Sequence, residues 1–237
     1  GVLDGDIAVD VSEFVSPAGV SIQRGRTDQF SDIGVGTATI SFQDTDRRFD
    51  SKHAAGPYFG QLVPGKRVQI ITGGVTIFEG PVRSWKHAYR ANAPSVVTLT
   101  VEDALAALGR RKFTQWTSTA QQPFQRFVDI LTRNEVAYAG AVDINAGVSA
   151  LQSDPVSAGS SVLNYMQLVA RTDMGRLFAS RSNVLTFRDR LTTSGSTAAV
   201  TFNDTGTGVD FEAINRSDDA RTLFTRVTVD RTGGIAQ

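Results

Sequence analysis

The sequence predicts an α+β protein that is mainly β, and three patterns along the chain lead to this expectation. Up to residue 101, short runs with a hydrophobic period of two follow one another, which is typical of strands. After Glu102 the spacing changes to three and four, as on helices that bury one face. Near residue 176 the period of two returns as a hairpin. The closely spaced strands favour an antiparallel barrel or sandwich over alternating β-α units.

Alternation and turn residues mark the strands of the first part. Ala38, Ile40 and Phe42 are expected on one face of their strand, with threonine and serine residues on the other. Gly73 and Gly74 together form a strong tight-turn signal between two strands. The predicted strands are 7–11, 20–23, 37–42, 67–70, 75–80, 82–85 and 96–101.

The second part combines helices with a hairpin. A short helix is predicted over 102–108 and stopped by Gly109, and Pro123 suits the first turn of a helix over 123–135. The inward residues of that second helix are expected to be Phe124, Phe127, Val128 and Leu131. A third helix over 161–173 is expected to direct Leu163, Met166, Val169 and Ala170 inward. A hairpin follows over 176–189, after an irregular excursion over 139–160 and before a polar linker that begins at Leu191.

Composition excludes several classes of function. A chain of 237 residues with 41% hydrophobic residues can bury a real core as one large or two ordinary domains. Lys plus Arg and Asp plus Glu number 24 each, so net charge gives no argument for tight binding to nucleic acid or anionic membranes. Without cysteine there is no disulfide, thiol nucleophile or thiolate metal site. No apolar run reaches the ~20 residues of a membrane span. Because the chain starts at Gly1 rather than Met and shows no signal peptide, we expect an excerpt or a trimmed chain.

No motif in the sequence names a catalytic or metal chemistry. The only histidines, His53 and His87, have no ligand spacing around them, and no serine elbow accompanies them. The sequence therefore predicts no enzyme, no cofactor and no metal site, although a carboxylate pair joined only by folding stays open. The glycine pairs at 34–36 and 206–208 lack a third glycine or a Gly-Lys-Ser/Thr ending, so they predict bulges or turns before strands.

Two acidic segments superficially resemble calcium loops. The first contains Asp44, Asp46 and Asp50, but Phe49 stands where a calcium loop needs glycine and Ala55 where it needs glutamate. A solvated turn is therefore expected there. The second runs from Asp204 to Asp210 and is the better candidate, because its glycines give it flexibility.

Basic pairs and one tryptophan are the candidate interface residues. Arginine suits carboxylates at protein interfaces, and an ordinary solvated face is the alternative reading. Trp116 stands among polar residues, which leaves a large apolar ring in need of a partner, whereas Trp85 is expected to pack in the first β-domain. The candidates are Arg24, Arg26, Arg47, Arg48 and Trp116, with the run Arg110, Arg111 and Lys112 as a further basic segment.

Sequence pieces in a fixed order carry a resemblance to a known family. They are SIQRGR at 21–26, GTATISF at 36–42, DRRFD at 46–50, PYFGQLVPG at 57–65, SVL at 161–163, GRLF at 175–178, LTFRDR at 185–190 and TRVTVDR at 225–231. In this order the chain resembles the phage minor tail proteins, the baseplate or tail-tip hub family of long-tailed phages. The resemblance covers most of the chain, with 139–160 unassigned.

The resemblance implies a domain plan. It consists of a first tube-like β hub domain at 1–109, an α+β insertion domain at 110–190, and the truncated start of a second tube-like β-domain at 191–237. It also implies a homotrimeric structural protein of the virion tail tip. Such a hub would join the tail tube or distal tail protein to a central fibre or other tip proteins, and would take part in host adsorption and DNA ejection.

The implied hub would enclose the channel through which phage DNA leaves, without binding that DNA specifically. Since a basic wall would retain a passing polyanion, loops facing the lumen are expected to carry Asp and Ser rather than Arg. Two alternatives stay open. One is an extracellular carbohydrate-binding β-module that uses Tyr58, Phe59 and Trp116. The other is the non-catalytic N-terminal part of a tail-associated cell-wall hydrolase.

Overall fold

The structure is a computed structural model that describes residues 2–3, 9–27, 31–90 and 93–194. Residues 1–195 form one compact unit. The fold is mainly β, with antiparallel pairing in its large sheet and few helices, as predicted. Of the second tube-like domain predicted at 191–237, only 191–194 are described, and the acidic segment from Asp204 to Asp210 lies outside the described residues.

Six strands form the large sheet. They are β1 (Val2–Leu3), β2 (Val15–Gly25), β3 (Gly34–Asp44), β4 (Arg67–Thr72), β5 (Val75–Ala88) and β6 (Ser95–Glu102), in the spatial order β1-β4-β5-β6-β3-β2. A 3-10 turn, Ser12–Phe14, precedes β2. Of the strand predicted over 7–11, only 9–11 are described, and they form no strand, so the weak alternation there was misleading.

The predicted alternation in β3 is confirmed. Ala38, Ile40 and Phe42 are buried, while the intervening side chains lie only partly covered on the other face. Ala38 pairs with Val101 of β6, which is also buried. Because both strands present apolar residues to the same side at this register, a one-residue slip of either strand would turn that strand's apolar set to the other face.

The glycine turn between β4 and β5 is also confirmed. Gly73 and Gly74 have φ of +54° and +76°, a conformation that side chains other than glycine adopt poorly. The two strands predicted over 75–80 and 82–85 are instead one strand of 14 residues. A register shift between Val82 and Ser84 absorbs the interruption at Pro81.

The rest of the unit surrounds three helices. Helices α1 (Ala104–Arg110), α2 (Pro123–Thr132) and α3 (Val162–Thr172) pack with the strands β7 (Trp116–Thr117), β8 (Val142–Ile144), β9 (Pro155–Val156), β10 (Arg176–Ala179) and β11 (Leu185–Arg188). The predicted hairpin is β10 with β11, and β8 joins β11 in parallel. Strands β8 and β9 lie in the segment that the sequence left irregular, and a short helix α4 (Arg190–Ser194) replaces the predicted polar linker.

Helix faces were predicted with mixed success. All four residues assigned to the inner face of α3 are buried. On α2, Phe124 and Val128 are instead exposed, because the buried stripe consists of Phe127, Ile130 and Leu131. Gly109 does not end α1 but lies inside it, since Arg111 is the capping position.

Two hydrophobic clusters form the interior. The first consists mainly of side chains from the large sheet and includes Phe42, Phe49 and Phe78. The second joins the three helices to the small sheet and includes Leu105, Phe127 and Phe187. Helix α1 follows β6 almost directly and packs into the second cluster, so it connects the large sheet to the helical part. The domain boundaries at 109 and 190 stay predictions.

Candidate assembly surfaces

In its described part, the large sheet has two open edges, one formed by β2 and the other by β1 together with the part of β4 that β1 does not cover. Strand β2 is an edge of 11 residues. At the opposite edge, β1 pairs only with Val68 and Arg67 of β4. Within the described residues, no strand lies beyond β2 or beyond the second half of β4. Such edges present backbone donors and acceptors that another chain can pair with.

Exposed apolar side chains accompany these edges. Val20 on β2 is 39% exposed, and Ile71 and Val75 beside the β4-β5 turn are 54% and 50% exposed. An apolar cleft of about 210 Å³ lies between the two edges, and its walls include Val15 of β2 and Ile70 of β4. Strands from opposite ends of the order thus face one cleft, so the sheet curls towards a barrel and stays open there.

Arg24 and Arg26 lie exposed at the end of edge strand β2. Arg47 and Arg48 lie in the loop after β3, and each forms an ion pair within that loop. The Arg47 guanidinium donates to Asp50 at 2.6 Å, and Arg48 donates to Asp46 at 2.6 Å. Arg48 also lies over the Phe14 ring, 3.9 Å from its centroid. The 47/48 pair therefore stabilises its own loop.

The acidic loop differs from the solvated turn that the sequence predicted. The Asp44 and Asp50 side chains are buried, and the Asp50 carboxylate also accepts the backbone N–H of Lys52. The Arg47 guanidinium, with this N–H, lowers the pKa of Asp50 to about 2. In the part of the chain that is described, no three His, Asp or Glu side chains are grouped so that they could hold one metal ion.

Trp116 packs mainly inside its own chain. It is only partly exposed, contacts Phe113 and Tyr165 ring to ring, and carries the Arg133 guanidinium 4.7 Å from its ring centroid. Trp85 packs against the first cluster, as expected. Tyr58 also contacts the first cluster while Trp116 contacts the second, so the aromatic residues of the carbohydrate-module alternative do not gather on one face.

The histidines have structural roles. The His87 imidazole Nε2 lies 2.7 Å from the Phe49 carbonyl near the end of β5, and His53 lies in a loop with Nδ1 3.3 Å from the Arg47 carbonyl. No helix in the described ranges is long and apolar enough to cross a membrane.

An arginine cluster missed by the sequence reasoning lies where β6 leads into α1. Arg110, part of the predicted basic run, shares the buried carboxylate of Glu102 with Arg83 of β5. The Arg83 Nη1 atom lies 2.9 Å from Glu102 Oε1. No spacing along the chain marks this cluster, since pairing of β5 with β6 brings Arg83 to Glu102, and α1 carries Arg110 back to the same carboxylate.

Asp103 joins the sheet to α1. Its carboxylate caps the helix by accepting the N–H of Leu105 and also accepts the N–H of Gly36 in β3 at 2.7 Å. The glycine pair at 34–36 thus lies inside β3 rather than before it, and the space a Cβ would need at Gly36 is occupied by the Asp103 carboxylate. Burial raises the pKa of Asp103 to about 6, although the backbone N–H groups that its carboxylate accepts act in the opposite direction and lower it.

This shift predicts a pH-dependent stability. The folded-state pKa of about 6 exceeds the ordinary value of 3.8, so the contribution of Asp103 is fully present below pH 3.8 and is lost as pH rises through about 6. The pKa is raised by about two units, and each unit corresponds to about 1.4 kcal/mol, so the free energy of unfolding falls by about 3 kcal/mol over this pH range. We expect the difference in free energy of unfolding between wild type and Asp103→Asn, measured by urea titration, to change by that order between about pH 4 and about pH 8. A pH-independent difference would contradict the assignment.

No protein-family model matches the sequence, and no curated protein matches it. Solved structures do share its fold. The 43 kDa tail protein of prophage MuSo2 from Shewanella oneidensis aligns at 13% identity with a TM-score of 0.51, over 71% of this chain and 48% of that one. A tail protein of Neisseria meningitidis aligns at 11% identity with a TM-score of 0.51, over 71% and 50%.

A type VI secretion system component of E. coli, described as structurally similar to the T4 bacteriophage tail proteins gp27 and gp5, aligns at 16% identity with a TM-score of 0.51, over 78% of this chain and 53% of that one. The chain therefore spans about half the length of each of these three proteins. At such identities the likeness shows the fold alone. This chain has the fold of phage tail proteins.

Proposed function

We propose that the protein is a structural component of a phage tail, and more specifically part of a tail-tip or baseplate hub. The observation that carries this proposal is the pair of sheet edges, with their exposed Val20 and Ile71, on either side of one apolar cleft. The shared fold of the solved tail proteins supports the same role. A non-catalytic role agrees with these structural neighbours.

The mechanism would be mechanical. Edge strand β2 of one protomer would pair with the β4 edge of the next, which satisfies backbone groups and covers the exposed apolar residues. Because the two edges are different surfaces, the contact is head-to-tail and generates a ring if the rotation closes. A homotrimeric ring would surround the DNA exit channel and join the tail tube or distal tail protein to a central fibre or other tip proteins. The second tube-like domain proposed at 191–237 would complete it.

The first test is the solution mass of the full-length protein by light scattering, with negative-stain images. We expect a trimer with a central hole, because edge pairing between protomers hides the exposed residues. Replacing Ile71 or Val20 by lysine is expected to convert the trimer to a monomer, since a charge on the edge opposes strand pairing.

The matched control is Leu168→Lys, which places the same charge on an equally apolar residue of α3 that is 47% exposed. It is expected to leave the trimer intact. A compact wild-type monomer with no ring in the images, or edge variants that trimerise like wild type, would count against the hub.

A further inference from the structure

The Arg83–Glu102–Arg110 cluster, hereafter the arginine clamp, holds two cations on one anion. The Glu102 side chain is 7% exposed, whereas the side chains of Arg83 and Arg110 are 61% and 60% exposed. Each guanidinium uses one nitrogen on a separate oxygen of Glu102, and both arginine side chains keep more than half of their surface exposed to solvent. A buried carboxylate thus fixes two arginines in place and leaves the pair with one excess positive charge.

The nearest acidic neighbour, Asp103, does not neutralise the excess positive charge of the clamp. Asp103 is turned inward, and its carboxylate accepts backbone N–H groups of Gly36 and Leu105, whose partial positive charges offset it. Arg24 is an exposed residue of the neighbouring edge strand, and its Cβ lies beside Gly36. The surface at the start of α1 is therefore locally basic, although the whole chain is neutral.

The clamp lies in a groove of about 880 Å³ with mixed walls. Apolar or small residues from β3, from the turn before β4, from β5 and from α1 form most of these walls: Val35, Pro64, Pro81, Val82, Ala106 and Gly109. Arginine between apolar walls suits an extended peptide, whose carboxylates reach the guanidinium forks while its other side chains contact the walls.

We propose that this groove docks an acidic, extended segment of a neighbouring protein subunit, with carboxylates bound bidentately by Arg83 and Arg110. The proposal rests on the structural role argued above and names the chemistry of one partner surface. A nucleic acid fits less well, because phosphates repeat along a strand and require a continuous basic track, whereas this groove alternates cations with apolar walls.

The test uses the purified protein and three synthetic peptides of alternating residues: Glu with Val, Gln with Val, and Lys with Val. We expect fluorescence anisotropy to show binding of the Glu-Val peptide only. In the double variant Arg83→Gln, Arg110→Gln the affinity should fall by at least about tenfold, and it should fall in wild type as salt rises from about 50 to about 300 mM. A single-stranded oligonucleotide serves as the competing polyanion.

The matched control is Arg47→Gln, Arg48→Gln, which removes the same charge from a pair outside the groove. It should keep wild-type affinity. Equal losses in both double variants, no binding of the Glu-Val peptide, or tighter clamp-dependent binding of the oligonucleotide would each overturn the proposal. Peptide binding can be measured whether or not the ring forms. A failure of the groove proposal is therefore distinguishable from a failure of the hub proposal, which light scattering tests.

Discussion

Gly80→Ala is expected to prevent stable folding. A Cβ at this position would lie 2.0 Å from the Glu102 carbonyl oxygen and 2.9 Å from its carbonyl carbon. Both atoms are backbone, so no side-chain rotation can relieve the overlap, and β5 would have to separate from β6. Overpacking of side chains alone costs about 1–3 kcal/mol, and a backbone clash costs more. The expected loss is therefore a large part of the 5–15 kcal/mol that stabilises a typical domain.

The measurement is urea unfolding at neutral pH, together with the soluble fraction on expression. Gly109→Ala provides the matched control, because the same methyl group would meet only Leu163 Cδ2 at 3.5 Å, an ordinary contact. Gly109 lies inside α1, where alanine is favoured over glycine by about 0.5–1 kcal/mol, so this variant should be slightly more stable than wild type. A soluble Gly80→Ala protein with the wild-type unfolding midpoint would contradict the steric argument.

Arg126→Met is expected to have the second largest effect. Arg126 is 2% exposed, and its guanidinium donates to the Tyr165 hydroxyl at 2.6 Å and to the carbonyls of Thr119 and Gln152 at 2.7 and 2.9 Å. Within the described residues it forms no ion pair with a carboxylate, so these oxygens compensate its charge. Methionine would fill similar volume but would leave the carbonyls of Thr119 and Gln152 without this donor, at a cost of about 1–3 kcal/mol for each unsatisfied acceptor.

Thermal and urea unfolding of Arg126→Met measure this loss. Arg126→Lys should be intermediate, since one ammonium group cannot reach all three acceptors in the same geometry. Arg181→Met, at an exposed turn of the hairpin, should change the free energy of unfolding by no more than about 0.5 kcal/mol. Equal stability of the Arg126 and Arg181 variants would show that the buried guanidinium contributes nothing to the fold.

The candidate surfaces show where sequence reasoning reaches its limit. The basic pairs at 24/26 and 47/48 look alike in the sequence, yet the structure places the first at the end of an edge strand and the second in a loop where both arginines form ion pairs with aspartates. The partners of Arg47 and Arg48 stand within three residues of them, so the sequence around 47/48 offered these ion pairs and only the loop conformation had to be added. The arginine clamp was missed for a different reason, since Arg83 and Glu102 are far apart in the chain and meet only through strand pairing.

What the sequence determined by itself is local and periodic. The alternation in β3, the double-glycine turn and the inward face of α3 follow from backbone geometry and the burial of apolar residues. What only the tertiary structure decided is which polar groups are buried and paired. The burial of Arg126, the carboxylate that links Gly36 to α1, and the open edges beside the cleft depend on residues far apart in the chain. Short-range patterns carry no record of such contacts, because strand order and helix docking create them.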